Sequence, residues 1–216
     1  IIANLTNSEL SYFIKNYSEI IKLSDLISRA EWLAWENKFG QLKSLMSYLP
    51  EEYKALYKAR YLLAIRLHGV EYAIENVPNK YKNNQGLLYQ RLQLKIKKNK
   101  IDSAFNLLLK AKSDKKNFNR PDKFWKPTSI IIRRLVYKKK YLAAYKIASK
   151  HHLNEGSNYS EAEWLSGWIA LSFLNNPELA IKHFLNMAKN AYDSKNRSRA
   201  AYWCGKTYET LGQQNL

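Results

Sequence analysis

The sequence has one cysteine, Cys204, in 216 residues. That excludes a disulfide framework and a cysteine-built metal site, and it suits cytoplasm and periplasm equally. Only 7 Gly and 5 Pro occur, far too few for the frequent turns of an all-β fold of this size. No stretch approaches the roughly 18 consecutive apolar residues of a membrane span. The opening Ile1-Ile2-Ala3-Asn4 has neither the basic start nor the apolar run of a signal peptide. With Ile in first place, the chain reads as a piece of a longer one, and any targeting signal is expected upstream.

Acid is also scarce, with 18 Asp/Glu against 36 Lys/Arg and a net charge of +18. The excess is local. Residues Lys95 to Lys150 hold 18 Lys/Arg and 3 Asp/Glu, so +15 falls in that segment and +3 in the rest of the chain. Such a field attracts polyanions of any kind, including nucleic acid, anionic lipid and carboxylate-rich polymers.

What is abundant is helical periodicity. Apolar residues recur at three and four spacing almost throughout, as in Ala162, Leu165, Trp168, Ile169 and Phe173 of a helix expected over Tyr159 to Asn175. Asn176-Pro177-Glu178 then marks a helix start: a capping amide, a proline whose missing N–H costs nothing there, and an acid at the positive dipole end. The layout repeats as a longer aromatic-rich helix, a tight turn and a shorter Ala/Leu-rich helix. The turns fall at Gly40, Gly69, Asn99, Lys139-Lys140 and Asn176-Pro177. Their spacing, roughly 29 to 40 residues, is that of two-helix repeats of the tetratricopeptide class. One hairpin cannot bury its own apolar face, so hairpins stack. The sequence therefore predicts an all-α chain, a single α-superhelical domain over residues 1–216 built as an irregular solenoid. Lys110 to Thr128, with Lys115-Lys116-Asn117, Pro121 and Pro127, reads as a loop.

Candidate chemistry is thin. Gly205-Lys206-Thr207 lacks the earlier glycine and the strand of a phosphate-binding loop, since position 200 is Ala. His68, His151-His152 and His183 have no partner at metal-ligand spacing, and the His151-His152 pair suits a helix C-terminus. Glu155, Glu161 and Glu163 sit at or near a helix start, where capping and solvation account for acids. Cys204, between Trp203 and Gly205, reads as an inert packed thiol. Most tryptophans fall on apolar helix faces. Trp125, in Lys123-Phe124-Trp125-Lys126-Pro127, is the exception and a candidate for ligand stacking. With Arg133, Arg134, Lys138, Lys139 and Lys140, these basic residues form the candidate contact set. No catalytic residue, metal site or cofactor site is expected. No helix-turn-helix, zinc finger or aromatic RNA-binding sheet is present, which argues against a nucleic-acid partner.

One stretch carries a resemblance. Tyr159-Ser160-Glu161-Ala162-Glu163-Trp164-Leu165-Ser166-Gly167-Trp168-Ile169-Ala170-Leu171 is followed by Asn176-Pro177, by Ala180-Ile181-Lys182-His183-Phe184 and by Ser198-Arg199-Ala200-Ala201-Tyr202-Trp203. Trp125-Lys126-Pro127, Ile132-Arg133-Arg134-Leu135, Tyr141-Leu142-Ala143-Ala144-Tyr145-Lys146-Ile147-Ala148 and His152-Leu153 extend it. This resembles the superhelical domain of soluble lytic murein transglycosylases, generically from residue 28 and specifically from Trp125 onward. The resemblance implies a periplasmic, curved or ring-shaped scaffold without chemistry of its own. Its partners are peptidoglycan and a C-terminal lysozyme-like domain carrying Glu-Ser and Gly-Leu-Met-Gln motifs. Neither motif occurs here, so no catalytic residue carries over and that domain is expected downstream. The alternative is a tetratricopeptide-like module that binds a protein or peptide in its groove.

Overall fold

The computed structural model describes residues 5–113, 118–191 and 193–212. Among these are twelve α-helices, one short 3-10 turn and no strand, the all-α chain of helical hairpins that the periodicity predicts. The chain divides into two compact units, residues 1–94 and 95–216.

The first unit contains α1 (Asn7–Asn16), α2 (Leu23–Trp35), α3 (Phe39–Met46), α4 (Glu51–Ile65), α5 (Val70–Glu75), the 3-10 turn Asn79–Tyr81 and most of α6 (Gln85–Lys97). Its core is aliphatic, with Leu33, Leu42, Leu45, Leu56, Ala59 and Leu87 all buried. Two cations, Arg29 and Arg60, are buried in this unit. Arg60 donates to Glu31 at 2.7 Å and to the Gln90 amide oxygen at 3.2 Å, and Gly86 leaves room for the guanidinium, where a Cβ would come within 2.2 Å.

The second unit contains the last turn of α6, then α7 (Ile101–Ser113), α8 (Pro121–Tyr137), α9 (Tyr141–Ala148), α10 (Gly156–Ser172), α11 (Pro177–Asn190) and α12 (Ser194–Thr210). From α7 onward each helix packs on the next, and α10 also packs on α8 and α12. The stacking thus joins one hairpin to its neighbours, as a face that a lone hairpin leaves uncovered requires.

Most of the hairpin turns share one closure. The helix ends at a residue in the left-handed region, and the following N–H reaches back five residues. Asn37, Asn99 and Lys139 take φ of 57°, 54° and 57°. Lys38 N–H then bonds the Leu33 carbonyl, Lys100 the Lys95 carbonyl and Lys140 the Leu135 carbonyl, at 2.9, 2.9 and 2.8 Å. This is the Schellman closure, which satisfies carbonyls the helix end would leave free. The first turn is thus closed by Asn37 rather than at Gly40, which lies inside α3.

The loop expected over Lys110 to Thr128 is corrected. α7 runs to Ser113 and α8 begins at Pro121, while Lys115-Lys116-Asn117 lies outside the described residues. Pro121 occupies the first helical position, where its ring is pre-set for the helix. Pro127 costs one backbone bond, but the helix continues because Phe124, Trp125, Thr128, Ile131, Ile132 and Leu135 bury one continuous face.

The α10–α11 contact depends on a missing side chain. A Cβ at Gly167 would meet the Phe184 ring at 2.6 Å, whereas one at Gly205 in α12 would meet nothing within 4 Å. Gly167→Ala is expected to cost about 1–3 kcal/mol by overpacking. Gly205→Ala should gain up to about 1 kcal/mol from helix propensity. Denaturant titration checks both signs.

Candidate functional site

The cations of the predicted contact set occupy different parts of α8 and its flanking turn. Lys123 and Lys126 lie near the start of α8, and Arg133 and Arg134 in its second half. Lys138, Lys139 and Lys140 form the turn to α9. At 1.5 Å rise per residue, the first and last of these groups are roughly 20 Å apart, so they do not make one pocket.

Trp125 is not on a loop and does not face solvent. It is 2% exposed, and its indole N–H donates to Glu161 Oε2 at 2.7 Å. A ring so enclosed offers no face to a sugar, which corrects its place in the contact set. Arg133 donates to the other oxygen of Glu161 at 2.6 Å, so part of its charge is spent inside the unit. Glu161 therefore ties α10 to α8, a role that helix capping does not describe. Lys126 and Arg134 are exposed, and Lys123 is half-buried.

Two of the turn lysines share one acid. Lys140 lies 2.6 Å and Lys138 3.4 Å from the Asp102 carboxylate in the first turn of α7. Their hydrogen bonds and charge hold Asp102 below the ordinary carboxylate range. Lys139 stands at the apex in its left-handed conformation. Beside it, a shallow cleft of about 390 Å³ is lined by Lys139, Lys140, Tyr141, Leu142, Ala143 and Leu174. Tyr141 stacks on Phe173 with ring centroids 4.6 Å apart, and so fixes the cleft wall. Not every cation of the segment reaches the surface. Lys112 Nζ donates to the carbonyls of Ile147 and Lys150 at 3.1 and 2.7 Å, closing the end of α9, and burial lowers its pKa to about 8.

The sequence reading missed a buried polar chain in the same unit. Glu163 is 5% exposed, which corrects its assignment to capping and solvent. The Leu153 N–H donates to His151 Nδ1 at 3.0 Å, so the His151 proton sits on Nε2 and is donated to Glu163 Oε1 at 3.1 Å. His183 Nδ1 donates to Glu163 Oε2 at 2.6 Å, and its Nε2 lies 2.9 Å from the Tyr145 hydroxyl. His151 thus bonds inward to an acid rather than serving a helix dipole. The signal was faint but present. Glu163 lies four residues after Tyr159 and four before Gly167, on the face that α10 buries.

Chemically this chain is closed on itself. Both Glu163 oxygens and all four imidazole nitrogens of His151 and His183 have partners. Among the described residues, no group of His, Cys, Asp and Glu side chains has the arrangement of a metal site. None of the described helices is long and apolar enough to cross a membrane. Gly205-Lys206-Thr207 lies inside α12, where the Thr207 hydroxyl donates to the Trp203 carbonyl. Cys204 is half-buried beside it, and burial raises its pKa. No protein-family model, curated protein or solved structure matches the chain.

Burial alone would raise the Glu163 pKa, but the hydrogen bonds from His151 and His183 reverse this and hold it at about 2. Its unfolded value is near 4.5. The carboxylate therefore stabilises the fold above about pH 4.5, and that contribution is lost as pH falls toward about 2, on the order of 3 kcal/mol in all. Glu163→Gln should flatten the acid limb of the stability–pH curve and cost about 1–3 kcal/mol at pH 7. His183 can absorb the change by moving its proton to Nε2. Glu163→Leu leaves buried imidazole N–H groups without acceptors and should cost about 3–5 kcal/mol. Urea midpoints measured from pH 7 to pH 3 test this order.

Proposed function

We propose that this chain is the non-catalytic helical scaffold of a periplasmic peptidoglycan lytic transglycosylase, whose chemistry resides in a separate lysozyme-like domain. The observation that carries this reading is that residues of the resemblance partner one another inside the second unit. Trp125 and Arg133 meet Glu161. His183 meets Glu163. The Phe184 ring stacks on Trp203 with centroids 5.5 Å apart, and the Arg199 guanidinium lies 3.6 Å above the Trp164 ring. A motif whose members pair across α8, α10, α11 and α12 is a packing signature, which is what a scaffold resemblance requires.

Charge supports the partner. Residues 95–216 hold 24 Lys/Arg against 9 Asp/Glu, or +15, and the first unit carries the remaining +3. Wall peptides are rich in carboxylates, so a basic hairpin stack is drawn to them and concentrates an attached enzyme on its substrate. The attraction is a sum over many exposed lysines and needs no pocket.

The purified chain should therefore bind intact sacculi at low salt without cleaving them. Binding should fall steeply as the screening length shrinks from about 8 Å at physiological ionic strength to about 3 Å at 1 M. Sacculi with amidated carboxylates should bind more weakly than untreated ones. Release of anhydromuropeptides by the pure chain, or equal binding to amidated sacculi, contradicts the reading.

A further inference from the structure

The turn between α8 and α9 combines three features that the unit uses only through the Asp102 contacts of Lys138 and Lys140. Lys138-Lys139-Lys140 is the longest run of cations in the sequence. It is bracketed by Tyr137, 85% exposed, and Leu142, 75% exposed, the two most exposed large apolar side chains among the described residues. Its apex, Lys139, sits in the left-handed region at φ 57°, where the matching positions of three other turns carry Asn37, Arg66 and Asn99. Asparagine tolerates that conformation better than lysine does. A residue held against its backbone preference at an exposed apex points to a use for its side chain.

The exposed apolar pair decides between partners. A soluble polyanion such as nucleic acid or a wall peptide is held by the lysines alone and gives Leu142 nothing to touch. A lipid interface takes both parts. Aliphatic and aromatic side chains enter the headgroup–acyl boundary, while lysines reach sideways to anionic headgroups. The neighbouring turn adds Lys97, Lys98 and Lys100, set beside this one by the Asp102 contacts to Lys138 and Lys140. The combined edge therefore carries six lysines and one acid. Tyr141, stacked on Phe173, fixes the base of the tip on α10, so the element reaching the membrane is rigid and loses little freedom on docking.

We propose that the α8–α9 turn is a docking tip for an anionic membrane surface, with Tyr137 and Leu142 entering the interface and Lys138, Lys139 and Lys140 contacting headgroups. The contact is peripheral and reversible, because two inserted side chains are far from a membrane span. It is independent of the wall reading. Sacculi need only the charge, and the tip needs its apolar pair as well.

Vesicle flotation with the 216-residue chain tests it, using phosphatidylcholine vesicles with and without phosphatidylglycerol. The chain should float with the anionic vesicles and remain below with the neutral ones. Tyr137→Ser with Leu142→Ser should weaken flotation about tenfold and leave sacculus binding unchanged. Lys138→Gln with Lys139→Gln and Lys140→Gln should weaken flotation about a hundredfold, since a lysine near an anionic leaflet is worth about fivefold. All five positions are exposed, and unchanged far-ultraviolet circular dichroism verifies the fold of each variant. Failure to float with anionic vesicles overturns the proposal, as does undiminished flotation of the Tyr137/Leu142 variant. The second result reduces the tip to a soluble-polyanion surface. Loss of sacculus binding in the same serine variant also overturns the assignment, because the pair would then belong to wall recognition.

Discussion

A helical hairpin exposes one apolar face that it cannot cover, and the architecture of this chain follows from that constraint. In the second unit the solution centres on α10, which meets α8, α9, α11 and α12. Ala162, Leu165, Ile169 and Ala170 are fully enclosed there. The fit is close enough that position 167 has no room for a methyl group against Phe184. Packing at this density transmits any change of volume, so the core tolerates little revision. The turns are under no such constraint. At Asn37, Asn99 and Lys139 the helix-end carbonyls are met by backbone closure, which leaves the turn side chains free to carry charge.

The buried polar groups follow the same division. In the first unit Arg60 is enclosed with Glu31 and Gln90, and in the second Glu163 is enclosed with two histidines. Each charge arrives with its partners already placed by three or more helices or their flanking segments. Removing one partner exposes the desolvation cost of the other, so these networks penalise any stacking register but one. Their contribution is as much to uniqueness as to stability. In the second unit, the Glu163 network and the Lys138–Lys140 turn lie in one stack but do opposite things: one hides its charge, and the other displays it.

The hairpin pattern was legible because it rests on local chemistry. Alternating long and short helices, Asn99 and Lys139-Lys140 at turns, and Asn176-Pro177 at a helix start are all visible as spacing and residue type. The same reading failed where tertiary burial overrides local signals. Pro121 and Pro127 suggested a loop, yet the apolar face from Phe124 to Leu135 carries α8 through them. A tryptophan among lysines suggested a ligand contact, yet Trp125 points its indole at a carboxylate 36 residues away. Glu163 was misread because periodicity assigns a polar residue to the outside by default. Only the arrival of His151 and His183 from other segments makes the inside affordable. The basic segment was legible as composition, but its resolution into an ordered tip, a paired Arg133 and a half-buried Lys112 was not.

Stacking around α10 holds the second unit together, while the basic turn adds only its exposed pairing with Asp102. Native-state hydrogen exchange tests this most directly, because it reads local opening free energies residue by residue. The slowest amides of the unit should lie in α10 between Leu165 and Ala170, with those of α8 next. Substituting Lys138, Lys139 and Lys140 should leave these rates unchanged. Exchange in α10 as fast as in the last turn of α12, or a general acceleration when the turn lysines are replaced, would contradict this.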